Sequence, residues 1–258
     1  MLQGVDHLVI LVSELQSAIA SYRKQGFTVV PGGQHPTKTH NALIGFADGS
    51  YLELLAFYEP NPQSKWWPRL AQGGGLIAAC MQTDDLRGEI SAFRKAGIGM
   101  TDPMPLSRVR PDGYHLKWVL SLHEGKQPDI VPFLIEDETP RDERVPKERE
   151  HGNQVTGIDT VTFAVQDVQE ARRWYSQALG RDGLDIDRED LGASGVRFTV
   201  GSHDLDFVAP KRPTGRLHEW LETRGPSPFS VVLKTKSRSL VHPVITPTEP
   251  PEKLRSAR

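Results

Sequence analysis

The chain has 258 residues, 37% of them hydrophobic and 25% charged, with a formal net charge of −2. That balance belongs to a globular chain of one large or two modest domains. It carries no basic excess for nucleic acid and no apolar run of the ~18 residues that a membrane span needs. The N-terminus, MLQGVDHL, enters a strand pattern at once, without the layout of a signal peptide. Cys80 is the only cysteine, so no intramolecular disulfide forms, which fits a reducing, cytoplasmic home. Inside LIAAC it reads as a small buried hydrophobe.

Val5–Val12 is apolar and β-branched and predicts a strand. Behind Ser13 or Glu14, Leu15, Ile19 and Tyr22 recur at helical spacing, and Gly26 stands where a helix end favours glycine. Further strands are predicted at Phe27–Val30, His40–Phe46 and Tyr51–Phe57, with Asp48-Gly49 as the hairpin signal between the last two. The unit is βαβββ.

LIAACMQTDDLRGEISAFRKAGI repeats the pattern of HLVILVSELQSAIASYRKQGF, with Leu86 in the place of Leu15 and Gly97 in the place of Gly26. Strands are predicted at Tyr114–Leu122 and Ile130–Glu136, and a loop at Pro103–Gly113. A third copy begins at Gly157 (GIDTVTFAVQDVQEARRWYSQALG), with later strands at Val196–Val200 and Leu205–Val208. Such repetition marks a duplicated supersecondary unit. Glu136–Glu150 is charged and strand-free. Leu217–Thr223 reads as a short helix, Phe229–Thr235 as a strand, and the polar stretch from Lys236 as a loosely ordered tail. The expected organisation is two paired modules over residues 1–138, a charged linker over 139–154, a third module with a C-terminal strand over 155–235, and a tail over 236–258.

His7 and Glu53 are polar side chains within apolar strands. Burying an imidazole and a carboxylate is costly unless each is paired or ligates something. Alternation groups His7 with Val9 and Leu11, and Glu53 with Tyr51 and Leu55. One face of such a sheet carries its helix. The other lines a concavity, which a second unit closes into a cup with polar groups at its floor.

These repeats, with DHLVI and SYLEL carrying the histidine and the glutamate, resemble the vicinal oxygen chelate superfamily. THNALIGFADGSYLELLAF, RVRPDGYHLKW, VPFLIED and HGNQVTGI resemble recurring segments of its glyoxalase-like branch, and the resemblance runs from about Gly4 to Pro210. It implies an α+β fold in which βαβββ modules pair into a curved, cup-shaped mixed sheet. It also implies a divalent metal (Mn, Fe, Ni, Zn or Mg) held by imidazole and carboxylate from the first and last strands of each module. The metal would serve Lewis-acid chemistry in a lyase, isomerase or dioxygenase. His7 and Glu53 match the ligand positions. Ala78 and Phe133 stand at those of the second copy, and Thr160 and Asp206 at those of the third. A catalytic metal normally has three protein ligands; His40 or His151 would have to complete the set. The alternatives are a metal-free hydrogen-bonded pair at the cup floor, or structural roles alone.

Arg108, with Arg110 and Asp112 in a polar stretch near Trp118, is a candidate to clamp a carboxylate or phosphate, while RPDG itself reads as a turn. His40 with Asn41, and His151 with Asn153, are polar pairs that orient a ligand or cap turns. Trp66-Trp67 reads as a packing plug, and the charge runs Glu136–Glu150 and Arg181–Asp190 as solvated faces. Phosphate loops, zinc–cysteine arrays and nucleophile elbows are absent from the sequence. Two functions are expected of the cup, both on a small, oxygen-rich, anionic metabolite. One is metal-assisted catalysis with Glu53 doubling as a proton shuttle; the other is metal-free binding or sequestration. The third module leaves one sheet face unmatched, to be covered by the C-terminal strand or by a homodimer partner.

Overall fold

Three copies of one unit follow one another along the chain. The computed structural model describes residues 1–110, 112–124 and 129–236, so Pro111 of the RPDG turn and the tail from residue 237 lie outside the described residues. Module one is β1 (Leu2–Leu11), α1 (Leu15–Lys24), β2 (Val30–His35), β3 (Thr39–Gly45) and β4 (Tyr51–Phe57); α2 (Trp67–Ala71) leads onward. Module two is β5 (Gly75–Thr83), α3 (Leu86–Lys95), β6 (Met104–Val109), β7 (His115–Ser121) and β8 (Phe133–Asp137), followed by α4 (Arg141–Arg144). Module three is β9 (Val155–Ala164), α5 (Val168–Leu179), β10 (Leu184–Arg188), β11 (Ala193–Val200) and β12 (His203–Pro210). The described chain ends with α6 (Arg216–Arg224) and β13 (Ser227–Thr235).

Modules one and two form an eight-stranded sheet in the order β2-β3-β4-β1-β5-β8-β7-β6, and module three with β13 a five-stranded sheet in the order β10-β11-β12-β9-β13. The fold is α+β, and its first sheet is a curved cup. In every module the first and last strands run parallel, in one register: Glu53 pairs with Val9, Phe133 with Cys80 and Asp206 with Thr162. β13 pairs antiparallel with β9 as β5 does with β1, so it stands where a fourth module would begin. The face expected to be unmatched is covered by the chain itself: Leu217 and Leu221 of α6 pack on Ala164, Val208 and Phe229.

The helices form where the apolar spacing foretold. Glu14 caps α1 by accepting from Gln16 N and Ser17 N, and Asp85 and Asp167 cap α3 and α5 in the same way. Their apolar faces enter one core shared by both sheets, in which Ile90 and Phe93 meet Tyr175, Phe198 and Phe207. The Tyr175 hydroxyl donates to Ile130 O at 2.7 Å, tying module three to module two.

Four local expectations are corrected. β2 starts at Val30 rather than Phe27, because Phe27 and Val29 go into the core before the ladder begins. As an edge strand it tolerates Pro31. Pro103–Gly113 is not a loop: Met104–Val109 pairs with β7 and turns Arg108 inward. The run Arg181–Asp190 holds edge strand β10, whose Arg188 reaches the buried Asp206 at 3.1 Å. The charged linker is not simply solvated either, since its Arg144 is buried. Among the described residues no helix is long and apolar enough to cross a membrane.

Candidate functional site

The concave face of the first sheet encloses about 190 Å³, walled largely by Leu43, Leu55, Trp66, Trp118, Leu120 and Phe133. An apolar cavity of about 150 Å³ accepts benzene, so this one suits a body of roughly one ring. Its polar groups gather on His7, His35, Asn41, Glu53, Arg108 and Arg144.

A break in the β1–β5 register between Val5 and His7 interrupts alternation there. The adjacent side chains of Asp6 and His7 therefore meet, with His7 Nδ1 2.6 Å from Asp6 Oδ1. On its other edge His7 Nε2 lies 3.5 Å from Glu53 Oε2. The imidazole stacks on Tyr51, its register partner, at 4.5 Å between centroids, and meets the edge of Phe133.

Asp6 has no solvent exposure. Burial alone would raise its carboxyl, but the Arg144 charge, the bond to His7 and the charge of Arg141 hold it well below the ordinary range. Arg144 also donates to Asp137 and to the Tyr51 hydroxyl, so the floor of the cup rests on a buried ionic cluster.

Glu53 Oε1 accepts from Asn41 Nδ2 at 2.6 Å. This fixes the amide, because the reverse orientation would set a carbonyl against a carboxylate. Asn41 Oδ1 is left buried with no partner among the described residues. Arg108 is only 6% exposed, and no described residue hydrogen-bonds to its guanidinium or forms a salt bridge with it. Burial lowers its pKa despite the nearby Tyr51 and Glu53, yet an arginine stays charged. Gly32 leaves room for both side chains: a Cβ there would lie 2.0 Å from Asn41 Oδ1 and 2.7 Å from Arg108 Nη1, and both would have to shift.

Of the residues singled out from sequence, His7, Glu53, Asn41, Arg108 and Trp118 line the cavity together. His40, His151 and Asn153 do not. His40 points to the far side of β3, where its ring meets Tyr58. His151 is a strut: Nδ1 accepts from Thr28 N at 3.0 Å and Nε2 donates to Gly45 O at 2.9 Å. Asn153 donates to Gln25 O and accepts from Val155 N. Trp66 lines the cavity, whereas Trp67 packs on Phe57. Sequence reasoning missed Asp6, His35, Tyr51 and Arg144. DH within GVDHLV was a signal for Asp6 only to a reader who allowed for the bulge.

The donor set does not fit a metal held in the superfamily's manner. The register places His7, Glu53, Ala78 and Phe133 at the four positions, so two of them are hydrocarbon. Asp6, His7 and Cys80 bring a carboxylate oxygen, an imidazole nitrogen and a thiol within 4.8 Å of one another. The Asp6 oxygens, however, are already taken by Arg141, Arg144 and His7. Burial pushes the Cys80 thiol well up, so a metal would have to displace a tightly held proton there. In module three, Asp206 is spent on Arg197 and Arg188.

Residues 5–180 match the model of a family described as a glyoxalase-like domain. No curated protein sequence matches. Among solved structures, a hypothetical protein from Staphylococcus aureus is similar with a TM-score of 0.65 at 15% identity, over 93% of each chain. A variant of 4-hydroxymandelate synthase from Streptomyces coelicolor gives 0.59 at 14% identity, over 90% of this chain and 71% of that one. A xylose isomerase-like TIM barrel/4-hydroxyphenylpyruvate dioxygenase fusion protein gives 0.55 at 15% identity, over 92% of this chain and 37% of that one. At these identities the likeness is one of fold.

Proposed function

The chain belongs to the glyoxalase-like domain family, and from that premise we propose that its cup binds a small organic anion and exchanges a proton with it without a metal. The single observation that carries this reading is Arg108: a buried guanidinium with no salt-bridge partner among the described residues, beside an apolar cavity. Leaving such a charge uncompensated is costly, and a ligand carboxylate would compensate it through a charge-assisted, bidentate contact. The leucine and aromatic walls would take the ligand's body, and the volume limits that body to about one ring or a branched chain.

His7 and Glu53 supply the acid–base pair. His7 Nε2 accepts a proton from the bound molecule and, as an imidazolium stabilised by the nearby Glu53 carboxylate, returns it at another position, which is the chemistry of an isomerase or lyase run by the chain's own groups. Dioxygenase chemistry would need a metal site that the donor set does not make.

Titration calorimetry with the metal-depleted protein tests the reading, using benzoate against benzamide, which has the same ring and no charge. Benzoate is expected to bind about tenfold or more tightly, from the usual worth of a charge-assisted bond. Equal affinity, or binding only after divalent metal is added, would refute it.

A further inference from the structure

The sequence set His7 apart as a polar residue in an apolar strand; the structure places the buried Asp6 carboxylate directly behind it. Asp6 Oδ1 meets His7 Nδ1 at 2.6 Å and Arg144 Nη1 at 3.0 Å. Asp6 Oδ2 meets Arg144 Nη2 at 2.8 Å and also Arg141 Nη1. A carboxylate offers about four acceptor sites, and all four are filled. Both arginines come from α4, which is itself moored: Arg141 donates to Gly49 O at 2.7 Å, and Arg144 to Asp137 Oδ2 and to the Tyr51 hydroxyl, each at 2.8 Å. Tyr51 in turn stacks on the His7 ring at an interplanar angle of 15°. The ring's plane and one of its nitrogens are thus set by the protein's own groups, before any ligand binds.

We propose that Asp6, clamped by Arg141 and Arg144, is the positioning residue of His7: it holds the neutral imidazole as the Nδ1–H tautomer and leaves Nε2 as a bare acceptor facing Glu53. The competition between the two carboxylates is decided by geometry. At 2.6 Å Asp6 makes a short charge-assisted hydrogen bond, whereas Glu53 at 3.5 Å is at the outer limit of one. Asp6 has no proton to give, because it is ringed by donors, so the hydrogen on Nδ1 belongs to the imidazole. Two acceptors then lie side by side on the cavity floor, 3.5 Å apart. A ligand atom that approaches both must carry a proton, as an O–H, an N–H or an acidic C–H. A ligand offering only acceptors there is repelled by both. This deepens the reading of the cup as a proton-exchanging site, but the tautomer itself is measured without any ligand.

The experiment is ¹⁵N NMR of the imidazole nitrogens of the full-length protein, at a pH where His7 is neutral. The His7 resonances are assigned by their loss in His7→Gln. A protonated Nδ1 and a pyridine-like Nε2 are expected in the wild type. In Asp6→Asn the charge that selects the tautomer is gone, and the proton is expected to move in large part to Nε2, toward Glu53. Arg141→Gln, at a partly exposed position, is expected to keep the wild-type tautomer while broadening the signal. A wild-type spectrum showing Nε2–H overturns the proposal without recourse to any variant. So does an Asp6→Asn protein with native circular dichroism and an unmoved tautomer. Should Asp6→Asn fail to fold, the wild-type spectrum still decides. Benzoate failing to bind would refute the ligand reading and leave this result standing.

Discussion

Asp6 and Arg144 stand 138 positions apart in the chain and form a two-point ion pair, with Nη1 3.0 Å from Oδ1 and Nη2 2.8 Å from Oδ2. The pair joins the first strand of module one to the segment after module two, beneath the one cavity floor that both modules build. It explains why a stretch as polar as EDETPRDERVPKERE folds inward in part: its arginines answer a carboxylate that would otherwise be buried alone.

Replacing Arg144 with Met should therefore cost stability out of proportion to one surface charge. Removing one member of a buried pair leaves the other uncompensated, at about 3–5 kcal/mol. Urea unfolding of Arg144→Met is the measurement. A loss below about 1 kcal/mol, the range of exposed pairs, would show that Asp6 is relieved in another way.

How far the sequence could be read follows the same division. The triplicated unit and the placing of His7 and Glu53 on one face were legible, because duplication and alternation are periodic and periodicity survives in one dimension. Asp6 was hidden by a bulge, which inverts alternation without a compositional mark. Arg108 was visible as a residue but not as part of a strand, since Pro103, Pro105 and Gly113 mask β6 as a loop. His40, His151 and Asn153 stood out as polar members of resembling segments. Their chemistry serves backbone groups and neighbouring rings instead, and only three-dimensional contacts distinguish a strut from a ligand contact.

His151 makes stability depend on pH in a defined direction. Burial holds its imidazole below the ordinary value, so the unfolded chain takes up the proton first as pH falls. The contribution is complete above about pH 6.5 and declines as pH drops from there toward the folded-state value. Protonation would also end the bond from Thr28 N into Nδ1. The stability gap between wild type and His151→Gln should be wide near neutrality and narrow by about pH 5. A gap that widens on acidification would contradict the account.

Gly32→Ala should damage the site through a single methyl group. The added Cβ would lie 2.0 Å from Asn41 Oδ1 and 2.7 Å from Arg108 Nη1, so both side chains must move. Overpacking of this kind costs about 1–3 kcal/mol. Thermal unfolding should show that loss together with weaker benzoate binding; an unchanged affinity would place the anion elsewhere.

The metal disagreement is testable by restoring what the second module lacks. Wild-type protein dialysed against Mn, Ni or Zn and then desalted should retain substoichiometric metal by elemental analysis. The double substitution Ala78→His with Phe133→Glu should gain stoichiometric metal, having a full four-ligand set at the register-equivalent positions. Stoichiometric metal in the wild type that is lost in His7→Ala would reverse the assignment.

The central claim is that Arg108 is the anion-binding group of the cup. Calorimetric titration of benzoate into wild type and into Arg108→Met measures it most directly, with native circular dichroism of the variant as the control. The affinity is predicted to fall about tenfold or more in the variant, while the weak affinity for benzamide stays the same. A variant that folds and binds benzoate as tightly as the wild type would contradict the claim.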